Sequence, residues 1–174
     1  MTEQHDKPEQ TPEDGPVTML YTPVRLDYMI HAGRELSGFL RGMEQRRIVG
    51  RRCPSCSLVY VPPRGACPTC GVSTASDAVL SGAGTITTFC VVHIPFEGQR
   101  LPPPYACGWV LLDGADSTLL HIVGNVPVEE VRMGMRVKPV WVPDEELGPT
   151  LEAIAYFEPS GEPDAPFDSY KEHL

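Results

Sequence analysis

Cys53-x2-Cys56 and Cys67-x2-Cys70 place two pairs of thiols with ten residues between them. Four thiolates in this pattern can wrap one tetrahedral metal ion, as in structural zinc sites. Pro54, Pro68 and Gly71 sit within the pairs or beside them and help the backbone turn around the ion. The gap is shorter than the roughly 15–20 residues of the commoner spacing, but a short hairpin ribbon accommodates it. Disulfides or free thiols are the alternatives. The chain opens MTEQHDKPEQTPEDGP, with neither an apolar core nor a basic start, so it is not read as a secretory signal. A cytoplasmic setting is therefore expected, in which disulfides are rare. With four protein ligands the zinc is expected to be structural, with no open position for chemistry.

Charge narrows the function classes. The 174 residues carry 14 basic and 23 acidic side chains, a net charge of −9. A duplex-DNA binder normally has the opposite balance. Residues 1–16 hold Glu3, Asp6, Glu9, Glu13 and Asp14 against Lys7, and residues 158–174 hold five acids against Lys171. Both ends are poor in apolar residues and read as mobile acidic tails, although Phe167 and Tyr170 give the second something to bury against a partner. One stretch runs the other way: residues 34–64 contain Arg34, Arg41, Arg46, Arg47, Arg51, Arg52 and Arg64 against Glu35 and Glu44. Arginine suits bidentate binding of phosphate or carboxylate. A solvated face is the plain alternative, and a phosphate-bearing ligand or an acidic protein surface the functional one.

Pro 19 and Gly 16 are many for a helical bundle and favour short strands and turns. The one clear helical stripe is Leu36, Phe39, Leu40 and Met43, preceded by a shorter apolar set at Leu26, Met29 and Ile30. Gly33, Gly38 and Gly42 weaken this helix, so either it is broken in two or its face packs closely on a partner subunit or on the chain itself. Five strands follow the cysteines: Thr85–Val92, Tyr105–Leu112, Thr118–Val123, Arg136–Val142 and Thr150–Phe157. Asp113-Gly114 supplies a turn, and Pro139 requires an edge or a bulge. Five strands with a short connector at Pro127–Met135 suit a small closed barrel of the OB type better than a sandwich. The expected fold is mainly β, with a helical arm, a four-Cys zinc ribbon and a five-stranded OB-type barrel. The boundaries expected are an acidic flexible segment over 1–25, the helical arm over 26–50, the ribbon over 51–78, the barrel over 79–158 and an acidic tail over 159–174.

No catalytic motif stands out. Neither a phosphate-binding GxxxxGK[ST] nor GxSxG nor HExxH occurs. Cys90 and Cys107 lie in apolar strands and read as core thiols. A Cys90–His93–Asp113 set can be drawn, but nothing in the sequence brings it together. His121 reads as a structural strand histidine. No catalytic residue is assigned, which favours a binding or accessory role.

The order of parts resembles a known family. LSGFLRGMEQRRIVGRRC leads into CPSC and VPPRGACPTCG, then GAGTITTFCVVHIPF, PPPYACGWVLLDGADSTLLHIVG and MGMRVKPVWV. Together these resemble the acyl-CoA-associated zinc-ribbon/OB-fold family, long known as a domain of unknown function, over roughly residues 26–158. Many members have lost zinc ligands, whereas this chain keeps Cys53, Cys56, Cys67 and Cys70. The resemblance implies a non-catalytic subunit that docks on a thiolase-like or lipid-transfer-type enzyme, including retro-aldolases of steroid side-chain degradation. It also implies acyl-CoA as a ligand of the complex, but no sharp CoA motif. Candidate CoA or partner contacts are Arg46, Arg47, Arg51, Arg52 and Arg64, with His93, Phe96 and Tyr105 of the loop over residues 93–105. Leu36, Phe39, Leu40 and Met43 are candidates for a partner-docking helix. The alternative is a nucleic-acid-binding ribbon and barrel, with Phe89, Trp109 and Trp141 as stacking candidates. A stand-alone acyl-CoA enzyme using Cys90 or His93 is a third reading.

Overall fold

The computed structural model describes residues 29–96, 98–99 and 101–174. The expected acidic segment over 1–25 and Leu26 lie outside these residues. Helix α1 spans Gly33–Met43. The ribbon strands are β1 (Ile48–Arg52), β2 (Val59–Tyr60) and β3 (Ser76–Leu80), in the order β2-β1-β3. Ile48–Gly50, placed in the helical arm from sequence, pair with Leu80–Ala78 and so begin the ribbon sheet.

The barrel strands are β4 (Gly84–Val92), β5 (Tyr105–Leu112), β6 (Thr118–Val123), β7 (Arg136–Trp141) and β8 (Ile154–Pro159). They close in the order β4-β5-β6-β8-β7, with one parallel contact, between β6 and β8. Alternation drives this sheet inward: Ala106, Val110 and Leu112 of β5 are buried, while Trp109 between them is exposed. Pro139 lies beyond Val137, the last β7 residue paired to β4, and a bulge follows between Val140 and Trp141.

The last strand begins later than the sequence suggests. The Thr150 hydroxyl accepts from the Glu152 amide and caps a 3-10 turn over Leu151–Ala153, which delays extended backbone to Ile154.

The α1 stripe packs on the chain itself. Phe39 and Met43 are buried in the main core with Ile48, Val59 and Val61, and Leu36 and Leu40 pack against it. The same core continues through Ile86, Val110, Val137, Ile154 and Phe157, so helix, ribbon base and barrel share one interior. The stripe expected to dock on a partner is therefore turned inward, because the ribbon sheet offers it an apolar surface.

The turn after β5 completes the junction. Asp116 Oδ2 accepts from the Val59 amide and Ser117 Oγ accepts from the Val61 amide, each at 2.8 Å. These side chains satisfy backbone amides in β2 and just after it.

The acidic C-terminus also departs from expectation. Asp164 pairs with Arg132 at 2.6 Å and Glu162 with Arg136 at 3.0 Å. The Ala165 amide donates to the Gly134 carbonyl at 2.8 Å, and Tyr170 is buried. Gly134 has φ +86, and a side chain there would meet Ala165 O at 3.1 Å and Tyr170 Oη at 3.2 Å. The tail folds back because its acids find the barrel's arginines and Tyr170 finds a glycine-sized gap. Among the described residues no helix is long and apolar enough to cross a membrane.

Candidate metal centre and ligand-binding surfaces

The two cysteine loops are near-copies. In each, the first cysteine amide donates to a carbonyl five residues on, Leu58 or Val72, at 2.8 Å. The residue four on, Ser57 or Gly71, donates back to that cysteine's carbonyl at 3.0 and 2.9 Å. The Cys56 amide points at Cys53 Sγ at 3.5 Å and the Cys70 amide at Cys67 Sγ at 3.4 Å. Ser57 and Gly71 turn the chain with φ +65 and +70. CPSCS and CPTCG are one loop used twice, with glycine in the left-handed position of the second and serine in that of the first.

The loops bring all four Sγ atoms within 4.8 Å of one another. Sulfurs at about 2.3 Å from a tetrahedral Zn2+ lie about 3.8 Å apart; Cys56 Sγ and Cys67 Sγ are 3.7 Å apart. The donor set and its spacing fit such an ion. Cys53 and Cys67 are buried and Cys56 and Cys70 half-buried, leaving no position for a substrate.

Tyr60 Oη lies 3.2 Å from Cys67 Sγ. That hydrogen bond pulls the Cys67 thiol down to about 6 against the effect of burial, and it pushes the Tyr60 hydroxyl up to about 12. Cys56 goes the other way. The Leu58 amide favours its thiolate, but burial and the three neighbouring sulfurs outweigh this and push it up to about 12. Four thiolates cannot share this space without a cation among them.

The arginines separate into held and unheld. Arg46 reaches Asp144 at 2.7 Å and the Val142 carbonyl at 3.0 Å. Arg51 pairs with Asp77 at 2.6 Å, Arg52 donates to the Ser57 carbonyl at 2.8 Å, and Arg64 lies over the Tyr60 ring at 5.7 Å. Arg47 has no side-chain partner among the described residues. Neither has Arg41, another of the seven arginines of residues 34–64.

A second concave surface opens in the barrel wall. β6 and β8 share only the Val123–Phe157 pairing, and a groove of about 630 Å³ lies beside it. Leu120, Ile122, Ile154 and Tyr105 line it, and Phe96 and Leu101 reach it from the loop after β4. Of the three loop candidates, Phe96 and Tyr105 meet here, while His93 is exposed and not part of the lining. His121 and Gln99 also line the groove, and among the described residues His121 Nδ1 and Gln99 Nε2 are buried without a hydrogen-bond partner. Burial lowers the His121 pKa; its Nε2 lies 3.4 Å from the Leu151 carbonyl. The alternation of β5 and β6 could have found this wall: Cys107 faces Ile122 and Trp109 faces Leu120 across the two strands.

The drawn nucleophilic set does not assemble. Asp113 follows Leu112, which pairs with Gly84, whereas Cys90 lies six residues further along β4, about 20 Å at strand rise. Asp113 instead clamps Arg136 at 2.7 and 2.8 Å. Cys90 and Cys107 are not core thiols. A bulge between Ile86 and Thr88 resets β4, so the two face each other across the strands, Cys90 exposed and Cys107 half-buried.

A rubredoxin-like ribbon with four thiolates, joined to a five-stranded closed barrel, defines the class. Residues 42–74 match the family described as ChsH2, rubredoxin-like zinc ribbon domain, and residues 78–142 match ChsH2, C-terminal OB-fold domain. A DUF35 domain-containing scaffold protein of Methanocaldococcus jannaschii is 33% identical over 99 residues, covering 56% of this chain and 70% of that protein. One from Pyrococcus furiosus is 31% identical over 97 residues, with the same coverage of 56% and 70%. This chain belongs to the DUF35 family. Among solved structures it is similar to a chain of the Ltp2-ChsH2(DUF35) aldolase, with TM-score 0.58 and 25% identity over 74% of this chain and 96% of that one. A DUF35-family protein of unknown function from Sulfolobus solfataricus shares the fold, at TM-score 0.57 and 19% identity over 74% and 87% of the two chains.

Proposed function

We propose that this chain is the non-catalytic accessory subunit of a thiolase-like, lipid-transfer-type enzyme that makes or breaks a C–C bond in an acyl-CoA. The observation that carries this is its similarity to the Ltp2-ChsH2(DUF35) aldolase chain, which it matches over 96% of that chain's length. The failure of Cys90, His93 and Asp113 to assemble agrees with a subunit that supplies no nucleophile. In this reading zinc on Cys53, Cys56, Cys67 and Cys70 rigidifies the ribbon and does no chemistry. The groove under Phe96, Leu101 and Tyr105 takes an apolar part of the acyl-CoA substrate. A retro-aldol cleavage of a steroid side chain is the finer form of the proposal, and a cytoplasmic setting goes with it.

Nucleic acid fits the barrel poorly. Arg132, Arg136 and Lys138 are each paired with an acid, so Trp109 has no unpaired cation of β7 or its approach to accompany it. The test is co-expression of the full chain with a lipid-transfer-type thiolase-like enzyme from the same genome. A stable complex, and acyl-CoA cleavage that depends on this chain, is expected. Full activity of the enzyme alone, with no complex formed, would overturn the proposal.

A further inference from the structure

Between α1 and the ribbon sheet lies a cleft of about 780 Å³. It is within the roughly 300–1,000 Å³ typical of small-molecule sites. Four arginines line it: Arg34, Arg41, Arg47 and Arg51. Two are neutralised in place, Arg34 by Glu35 at 3.0 Å and Arg51 by Asp77 at 2.6 Å. Among the described residues Arg41 and Arg47 have no such partner, and both acids of the lining, Glu35 and Asp77, are already taken. This happens in a chain of net charge −9, where the other described arginines each meet an acid, a carbonyl or a ring.

The backbone is shaped to bring these two together. Arg46 takes the left-handed conformation, φ 54, which is unfavourable for a non-glycine residue. Its side chain is tied to Asp144 and to the Val142 carbonyl, across to the far end of β7. The turn lets the Arg47 amide donate to the Gly42 carbonyl at 2.9 Å. Gly42 must be glycine for this approach, because a Cβ there would lie 2.8 Å from Arg47 O. Arg41 and Arg47 therefore flank one buried glycine and open on the same cleft. Favourable interaction with the helix C-terminus accounts for a cation at Arg41, in the last turn of α1. It does not account for Arg47.

We propose that this cleft is a binding site for a phosphate-bearing small molecule, held by Arg41 and Arg47. Two guanidinium groups offer forked donors that match phosphate oxygens bidentately. The Gln45 amide, also in the lining, adds a neutral donor. A concave site of this size suits a compact anion of high charge better than a flat acidic protein surface. The site is separate from the groove on the barrel wall and does not rest on the accessory-subunit reading.

The test is calorimetric titration of the full, zinc-loaded chain with inorganic pyrophosphate and with ADP at constant ionic strength. Saturable one-to-one binding is expected. Arg41→Gln and Arg47→Gln should each weaken it about tenfold or more, and Arg52→Gln, a held arginine outside the cleft, should leave it within twofold. Equal weakening by Arg52→Gln would mean only diffuse electrostatics and would overturn the site. So would binding of an acidic peptide with none of either phosphate probe, or failure of the variants to change affinity. Co-purification with the partner enzyme is measured on the same variants. Assembly retained while phosphate binding is lost supports the site, and assembly lost with no phosphate binding in the parent chain reassigns these arginines to the protein interface.

Discussion

The barrel and the ribbon tip hold their strands together by different means. The barrel encloses Ile86, Val110, Val137, Ile154 and Phe157, all at 1% exposure or less. The tip buries little beyond Cys53, Tyr60 and Cys67, with Cys56, Leu58 and Cys70 half-buried against them in a second, separate cluster.

 That second cluster consists of the four cysteines with Tyr60 and Leu58. An apolar core is formed by many small contributions and survives the loss of one. A four-thiolate tip has a single large contribution, the metal, and is otherwise two short loops and a two-residue strand. The two regions should therefore fail separately, except where the base of the ribbon shares the barrel's core through Val59 and Val61.

Metal removal should break the comparison most sharply. Structural Zn2+ contributes roughly 10–16 kcal/mol to the folding of small zinc modules. A strong chelator, or Cys67→Ser, should release the tip while the barrel stays folded. Hydrogen exchange reads this directly: amides of residues 53–73 should lose protection and those of β4–β6 should keep it. Simultaneous loss of both would mean that the barrel depends on the metal.

The converse is Phe157→Ala, which removes a fully buried ring from the barrel. It should cost about 3–5 kcal/mol and lower the unfolding midpoint. Below that midpoint the protein should still bind one zinc per chain. Loss of zinc from the folded variant would show that the tip leans on the barrel core.

Tyr60→Phe probes the tip without removing a ligand. It deletes the hydroxyl that lies 3.2 Å from Cys67 Sγ. Zinc affinity should fall about 10–100-fold, the usual effect of losing a group that orients a ligand. Competition with a chromophoric chelator measures it. Barrel stability should not change.

Ser57→Gly should have a smaller effect, of opposite sign. Ser57 has φ +65 where its counterpart in the second loop is Gly71 at φ +70. Relieving the left-handed serine should stabilise the zinc-loaded tip by about 1 kcal/mol, less whatever the more flexible glycine costs in the unfolded chain. Gly71→Ser should lose a similar amount. If both substitutions shifted stability the same way, the two loops would not be equivalent.

The same contrast explains what could be read in advance. The metal site was legible because its four ligands lie within 18 residues and their spacing is the signal. The first four barrel strands were legible because alternation is local to each strand. The apolar stripe of α1 was legible too, but not its destination, because Ile48, Val59 and Val61 become its neighbours only when the ribbon folds. The arginines were least legible. Arg46 is held by Val142 and Asp144, 96 and 98 residues away, and Arg136 by Asp113 and Glu162 on either side in sequence. Composition alone made the C-terminus a tail, since its acids look solvated until Arg132 and Arg136 are brought beside them.

His121 tests the barrel wall alone, and only on the acid side of neutrality. Its ring meets Phe157 edge-on at 5.5 Å, and burial lowers its pKa below the ordinary 6.5. As pH falls past that ordinary value the unfolded chain takes up a proton that the folded chain refuses. The stabilisation is therefore complete above about 6.5 and drains away as pH drops towards the depressed folded value. Cysteine protonation at the tip also destabilises in acid, so the informative quantity is a difference between variants. Unfolding midpoints of the parent and of His121→Phe, measured at pH 8 and pH 5, should show a smaller acid loss in the variant. The remaining loss, common to both proteins, belongs to the thiolates. An identical loss in the two proteins would mean that His121 is protonated as readily in the barrel wall as in the unfolded chain, and that this wall admits water where the core beneath it does not.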